Sequence, residues 1–264
     1  LGTGHIQSHS LNVSGSEEKS SYLIGVSYYD QDGIMKEDSG YERYNILTKG
    51  NYKPFEWLNL GANVTISNGK RTIGNNTAFR DAFILPSIVP VHDDNNADAT
   101  PEKFASPGDA GFANGYFENP VARARYYDSK NTSLRVLPSV FMDINLIPDK
   151  LKYHFSLSQE YHTLNSRAYT PAYVVYSMQS NTQSTLTKAQ HNYNNTIIDN
   201  TLTYSDSFGK HNVTAMIGHS SRWENYRMLQ GVAKNIAGNG DSQFMYVSLG
   251  DADTRLASDT GFSY

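Results

Sequence analysis

The histidine, serine and acidic residues of this chain do not form a pattern that catalysis would need. The eight histidines are scattered, and no His-Glu-x-x-His sequence places two of them on one helix face with a base between them. Serine is frequent, but no nucleophile elbow surrounds any serine. His154 and His211 lie on or beside predicted strands, where a place in a sheet wall is commoner than a ligand role. We therefore expect that the protein is not an enzyme.

The acidic segment His92–Asp98 offers the oxygen ligands that Ca²⁺ prefers. It lacks the order of an EF-hand loop, because it has no glycine at the turn position and no closing glutamate. We interpret it as a solvated loop and predict no cofactor or metal, with Ca²⁺ in a long loop as the less favoured alternative.

Aromatic residues are frequent in the parts of the chain that lack a strand pattern. Aromatic rings stack on sugar rings or on peptide side chains, and tyrosine and phenylalanine also anchor protein interfaces. Many such rings only pack a loop onto itself. The candidates for contact with a substrate or with a covering partner protein are Phe79, Phe83, Tyr116, Phe117, Tyr169, Tyr173 and Tyr176.

The elements that must position these residues are extended strands. From Leu134 to Leu146 every second residue is apolar, Pro138 included, and the residues between are mostly polar. A period of two indicates a strand with one apolar and one mixed face. The run exceeds the ~5–6 residues typical of strands and matches the ~9–11 residues of a tilted membrane-crossing strand. Since proline lacks a ladder donor, we expect a local bulge or irregularity at Pro138.

Alternating runs recur along the chain and assign residues to two faces. A lipid-facing position is predicted for Val140, Met142, Ile144, Leu60 and Val64. A position facing a wet lumen or a plug is predicted for Arg43, Lys49, Arg135, Asp143 and Lys152. Because an unpaired buried charge is costly, we expect ion pairs or plug hydrogen bonds at these charged residues.

The connections between the predicted strands alternate in length. About eight strands are predicted, a short helix is expected near Thr77–Leu85, and the long loops are about 69–131, 164–192 and 224–260. In an up-and-down antiparallel sheet, alternate connections lie at the same end, so short turns and long loops are sorted. Short periplasmic turns and long extracellular loops are typical of outer-membrane barrels. The predicted fold class is therefore all-β, a segment of a large antiparallel transmembrane β-barrel.

Composition narrows the alternatives. The 264 residues include no cysteine, which excludes disulfides and thiolate metal sites. No run approaches the ~18 apolar residues of a transmembrane helix. The net charge of −4 is too small to indicate a nucleic-acid partner. The 19 tyrosines suit β-structure with aromatic belts.

Six segments of the chain resemble one family of membrane proteins. They are Leu11–Tyr22, Tyr28–Ile34, Tyr41–Asn45, Trp57–Asn63, Glu118–Ala122 and Asn200–Gly218. In this order, and over nearly the whole chain, they are similar to the SusC/RagA family of TonB-dependent outer-membrane transporters of Bacteroidetes.

The resemblance implies a barrel of about 22 strands closed around an N-terminal plug. It also implies import of oligosaccharide or peptide nutrients across the bacterial outer membrane, a SusD-like surface lipoprotein over the loops, and coupling to TonB. We expect residues 1–264 to be an internal fragment of a single barrel domain, with the plug absent from this chain and TonB contacted through a segment outside it. The nutrient ligand and outer-membrane lipid are the other expected partners.

Two further hypotheses stay open. A TonB-dependent receptor for an iron chelate or a cobalamin would share the barrel, although the family-like strands disfavour it. A soluble all-β binding or adhesion module would instead pack the stripe from Leu134 to Leu146 against a second protein layer.

Overall fold

The computed structural model describes residues 2–35, 39–112, 117–237 and 245–264. Within these residues nine strands form one antiparallel sheet, and two short strands form a separate hairpin. The strands are β1 (Ile6–Ser16), β2 (Ser20–Asp32), β3 (Gly40–Phe55), β4 (Leu58–Thr72), β5 (Asp128–Ile147), β6 (Leu151–Thr170), β7 (Tyr173–Tyr176), β8 (Gln179–Asn181), β9 (Thr185–Phe208), β10 (His211–Lys234) and β11 (Leu256–Ser263).

The large sheet follows the chain, in the order β1-β2-β3-β4-β5-β6-β9-β10-β11. The β7–β8 hairpin is inserted between β6 and β9. Short turns, such as the two residues Gly209 and Lys210 between β9 and β10, all lie at one end of the sheet, and Gly209 adopts the positive φ of 63° that this tight turn needs. We call the two ends the short-turn end and the long-loop end.

The strand register places the apolar stripes side by side. Val140 of β5 lies opposite Ala62 of β4 and Leu157 of β6. Met142 lies opposite Leu60 in the same row of strands. Because side chains alternate along a strand, these residues share one side of the sheet. We call the side that carries Val140 and Met142 the apolar face, and the opposite side the polar face.

The sheet is irregular at Pro138, as expected, but the irregularity is not a bulge. The pairs on either side of it keep one register, with Val136 opposite Tyr161 and Ser139 opposite Ser158. The ladder between β5 and β6 is instead interrupted at residues 137–138, since proline has no N–H to donate. The irregularity is thus a gap in pairing without an inserted residue.

The strands extend further toward the long-loop end than the alternating pattern predicts. The long connections are 73–127, 171–184 and 235–255, and the last strand, β11, lies in a region predicted to be irregular to about Thr260. Tyr169 therefore lies on β6 and not in a loop. Backbone ladders continue here through serine, threonine and asparagine, whose side chains give no apolar alternation.

Two helices lie in the longest connection. Helix α1 (Thr77–Ile84) matches the helix expected near Thr77–Leu85, whereas α2 (Pro120–Arg125) was not predicted. The side chain of Asn119 caps α2, and proline follows at its first position, where no N–H is needed.

The buried apolar residues lie at the long-loop end. One cluster joins strand tips to the last long connection, through Tyr169, Leu186, Ala233, Ile236 and Met245. A second cluster joins loops only, through Phe104, Ala122, Tyr126 and Val175. Among the described residues, no helix has the length and apolar composition to cross a membrane.

Candidate functional site: the polar face and the long-loop assembly

The five charged residues predicted to face a lumen or plug all lie on the polar face. Lys49 lies opposite Asn63, and Asn63 lies opposite Ser139, one residue away from the apolar stripe. Arg43 lies opposite Gly69 on the same side of the sheet. The register thus gathers charges that are far apart in sequence onto one wall.

Asp143 is the centre of a compact polar group near the short-turn end. Its Oδ1 lies 2.7 Å from Nδ1 of His154 and 3.1 Å from Nζ of Lys152. Its Oδ2 accepts a hydrogen bond of 3.3 Å from the Asn59 side chain. Side chains from the two neighbouring strands, β4 and β6, thereby compensate one largely buried carboxylate, as the cost of burying a lone charge requires.

Arg135 takes part in a second group of paired charges, which lies nearer the long-loop end of the polar face. Its Nε donates to Oε1 of Glu160 at 2.7 Å. The other oxygen, Oε2, accepts from Nδ2 of Asn195 at 2.8 Å. Both oxygens of the Glu160 carboxylate are therefore hydrogen-bonded. Three of the predicted charged residues thus form ion pairs on this face: Arg135 with Glu160, and Lys152 with Asp143.

Arg43 contacts two tyrosine rings. Its guanidinium carbon lies 5.9 Å from the ring centroids of both Tyr29 and Tyr41, within the range of a cation–π contact. Among the described residues its Nε has no hydrogen-bond partner.

The five residues predicted to face lipid lie together on the apolar face. Leu60 is opposite Met142, and Val64 is opposite Pro138. Ile144 continues the stripe toward the short-turn end, opposite Leu58. Val140, at the centre, is 45% exposed although it is apolar, so this side of the sheet presents hydrocarbon outward.

A separate structure covers part of the long-loop end. We call segments 73–112, 117–127 and 171–184 together the long-loop assembly. Asn119 and Gln179 join its two connections, because the backbone N–H of Asn119 donates to Gln179 Oε1 at 2.8 Å and its carbonyl accepts from Gln179 Nε2 at 3.0 Å. The Asn119 side chain also donates to the carbonyls of Val91 and Ala105.

Further contacts fasten the two connections. Thr100 and Val174 exchange backbone hydrogen bonds of 2.8 and 2.9 Å. The buried Asn96 side chain donates to the carbonyls of Phe104 and Val175 at 2.8 and 3.0 Å. Segments 73–112 and 117–127 are therefore bonded to segment 171–184 through a polar network of their own.

Aromatic rings form the centre of this assembly. Phe104 packs edge-on against Tyr126 at 5.5 Å between centroids, and Tyr126 stacks on Tyr173 at 4.3 Å. Burial raises the pKa of Tyr126 and of Tyr173 above the ordinary tyrosine value, because an apolar surrounding disfavours the phenolate. These rings are structural contacts within the loops.

Comparisons with known proteins were made by sequence and by fold. No protein-family model matches the chain. Among curated proteins it is similar to TonB-dependent receptor P26 of Formosa agariphila, with 23% identity over 231 residues. The match covers 83% of this chain and 21% of that receptor, so the chain spans about a fifth of its relative's length.

Solved structures with a similar fold include chains of the RagAB peptide importer. The importer in its "closed-closed" state matches with a TM-score of 0.69 and 17% identity, over 97% of this chain and 28% of that one. Its "open-open" state matches with a TM-score of 0.70 and 16% identity, over 97% and 28%. In fold, the chain is a segment of a SusC/RagA-like barrel. The fold class predicted from sequence is thus confirmed.

The aromatic candidates have different surroundings in this SusC/RagA-like segment. Tyr169 and Tyr173 are packed inside clusters at the long-loop end. Tyr176 donates its hydroxyl to the carbonyl of Phe117 at 2.6 Å, which ties the hairpin to the loop before α2. Among the described candidates, only Phe83 on α1 is strongly exposed, at 91%, and Phe79 on the same helix is 37% exposed. The candidate Tyr116 lies outside the described residues.

The acidic segment His92–Asp98 is folded onto the assembly. Asp93 Oδ1 accepts from the backbone N–H of Asn95 at 2.9 Å, and Asn96 points inward. Within the described ranges, no three histidine or acidic side chains come together as a metal site would need.

Sequence reasoning missed a row of rings on the polar face of the segment. His162 lies opposite Tyr193, Tyr193 opposite Tyr226, and Tyr226 opposite Phe262, on the four adjacent strands β6, β9, β10 and β11. We call these four residues the aromatic row. The tight turn at Gly209 was a usable signal, because counting back along both strands from it pairs Tyr193 with Tyr226.

Proposed function

We propose that this chain is part of the wall of a TonB-dependent importer in the bacterial outer membrane, which takes up oligosaccharide or peptide nutrients. In this proposal the apolar face contacts lipid, the polar face lines the plugged interior, and the long-loop end is extracellular. The chain carries no covalent chemistry. The name of the curated relative and the fold of the RagAB chains support the proposal.

One observation carries it: apolar and charged residues are separated onto opposite faces of the sheet. Val140 and Ser139 are adjacent in β5, yet one lies in an exposed apolar stripe and the other among paired polar groups. A soluble adhesion module would cover its apolar stripe with protein, whereas Ile46 and Ile217 on the same face are 45% and 72% exposed. A bilayer is the solvent that such a face requires.

Two protein partners are proposed, a surface lipoprotein at the long-loop end and TonB. The exposed rings of Phe79 and Phe83 are four residues apart on α1 and share a helix face, which suits contact with a SusD-like surface lipoprotein. TonB would act through a segment outside this chain.

Spin labels test the assignment of faces. Cysteine would be introduced singly at Val140 and at Ser139 of the complete transporter, labelled with a nitroxide and measured in lipid vesicles. We expect the Val140 label to collide with oxygen dissolved in lipid and the Ser139 label to be shielded from it. Equal oxygen accessibility at the two sites would contradict the membrane assignment.

Uptake assays test the activity. A strain that lacks the complete transporter should lose uptake of one class among labelled oligosaccharides, peptides, iron chelates and cobalamins, and a complementing gene should restore it. Loss of oligosaccharide or peptide uptake supports the proposal. Loss of iron-chelate or cobalamin uptake alone would favour the other class of TonB-dependent receptor.

A further inference from the structure

The aromatic row is continuous across four strands. Ring centroids are 5.2 Å apart for His162 and Tyr193, 4.9 Å for Tyr193 and Tyr226, and 5.3 Å for Tyr226 and Phe262. The planes are inclined by 16°, 37° and 35°. The rings therefore lie side by side across the four strands, with the first pair stacked and the other two pairs tilted. With about 4.8 Å between strands, the row is roughly 14 Å long.

The row lies on the polar face above the apolar stripe. The ladder between β9 and β10 is continuous for the whole length of both strands, so no bulge exchanges the faces between Ile198 and Tyr193. Five residues separate them, which at ~3.3 Å per residue and a tilt near 40° is roughly 13 Å toward the long-loop end. On the apolar face at this height lies Tyr161, directly before His162 in β6.

A second row of polar groups lies directly below the rings. Glu160 lies opposite Asn195, and Asn195 lies opposite Glu224, each two residues nearer the short-turn end than its ring. Arg135 pairs with Glu160, and Arg222 pairs with Glu224. The charges therefore cancel locally, while planar carboxylate, amide and guanidinium groups remain in a line.

This pairing of a ring row with a neutralised polar row fits one ligand chemistry. A neutral oligosaccharide combines apolar C–H surfaces with many hydroxyls, and the C–H surfaces gain from aromatic contact while planar polar side chains hydrogen-bond the hydroxyls. The row itself carries phenol hydroxyls, of which Tyr226 Oη is held by His191 Nδ1 at 2.8 Å. A charged ligand would find no net charge here to attract it.

We propose that the aromatic row and the polar row below it form a subsite that binds a neutral oligosaccharide on the inner wall of the transporter. This inference rests on the proposed function, because it needs the polar face to line the interior. A purely structural role is the competing explanation, since cross-strand aromatic pairs also stabilise sheets.

The test replaces two rings of the row and compares them with a ring on the other face. The complete transporter would carry Tyr193→Leu with Tyr226→Leu, which keeps apolar volume in the strands, and the matched control would carry Tyr161→Leu. Binding of short neutral oligosaccharides of several linkages, and of peptides of similar size, would be measured by calorimetry. Heat-modifiable electrophoretic mobility would verify that each barrel is assembled.

We expect the wild-type transporter to bind at least one oligosaccharide. The double variant should bind it about tenfold or more weakly, and the control should stay within about twofold of wild type. Unchanged affinity in an assembled double variant would overturn the subsite, as would a wild-type protein that binds peptides only or none of the probes. If the double variant still imports its nutrient in cells with unchanged affinity, the subsite fails while the proposed import function stands.

Discussion

In the middle of the sheet, Val140 and Ile217 are 45% and 72% exposed, whereas Phe104 and Val175 of the long-loop assembly are 1% and 0% exposed. All four residues are apolar. The sheet keeps its shape through backbone ladders and directs its hydrocarbon outward, while the loops have built a small core of their own. The apolar face of the sheet therefore suits an apolar surrounding, whereas the long-loop assembly suits water.

The difference explains why the loops can be long without being irregular. Long connections normally argue against an element assignment unless they are functional. Here the segments of the long-loop assembly bury rings and asparagine side chains against each other and exchange backbone hydrogen bonds. We therefore expect truncation of buried apolar side chains to destabilise the long-loop assembly. We expect a charge introduced on the apolar face to destabilise the sheet.

The largest expected effect is loss of the loop core. Phe104→Ala removes a fully buried ring and should cost the long-loop assembly about 3–5 kcal/mol of local stability. Hydrogen exchange at the Thr100 and Val174 amides would measure it. Phe83→Ala, at an exposed ring on α1, is the control and should change exchange little. Equal protection in both variants would mean that the loops have no core of their own.

A charge introduced on each face is the corresponding test of the sheet. Val140→Arg places a charge in the middle of the apolar face and should cost roughly 2–4 kcal/mol of unfolding free energy in lipid vesicles. Ser139→Arg, one residue away on the polar face, should cost much less. Similar costs in the two variants would remove the distinction between the faces.

Asn119 tests whether the loops are joined by hydrogen bonds as well as by rings. Asn119→Ala removes four side-chain hydrogen bonds at a buried site and should cost the assembly about 1–3 kcal/mol. Asn119→Asp keeps the acceptor that caps α2 and removes the two donations to Val91 and Ala105. In the aspartate variant, the Val121 and Ala122 amides should regain more of their wild-type protection from exchange than the other amides of the assembly. Asn95→Ala, at an exposed position, should be silent.

The smallest expected effect is that of alkaline pH. Burial raises the folded-state pKa of Tyr126 and Tyr173, so below the ordinary value near 10 both states keep the proton and stability is unaffected. Above it the unfolded tyrosines lose protons first, and the stability of the assembly falls as pH rises through the folded pKa. Loop exchange should therefore speed up more than ordinary base catalysis predicts.

Replacing both tyrosines by phenylalanine should weaken that excess. The variant loses the hydrogen bond from the Glu102 N–H to Tyr126 Oη, so its neutral-pH stability must be measured alongside. If the double variant loses as much loop stability at alkaline pH as the wild type, groups other than Tyr126 and Tyr173 cause the loss.

Much of the sheet could be predicted because period two is a local property of the chain. The strands around Leu60 and Val140 and the helix at Thr77–Ile84 follow from neighbouring residues alone. The strand tips could not be predicted in this way. Tyr169 pairs through its backbone with Leu186 in a ladder whose side chains carry no regular apolar signal.

The candidate site was likewise predictable only in part. Charged positions such as Arg135 and Asp143 are readable as the off-stripe residues of a strand, but their partners Glu160 and His154 are set by register. Asn119 lies in a family-like segment, but the residues around it do not show which groups it binds. Its role comes from Gln179, sixty residues further along the chain.

The sequence by itself determined the two-faced strands, the alternation of short and long connections, and which residues occupy each face. These properties depend on side-chain order within one strand, which backbone geometry converts directly into direction. The tertiary structure decided the length of the strand tips, the joining of the two loops at Asn119, and the aromatic row through Tyr193 and Tyr226. Those features need a register between distant segments, and hydrogen-bonded pairing of whole strands fixes that register only when the sheet is formed.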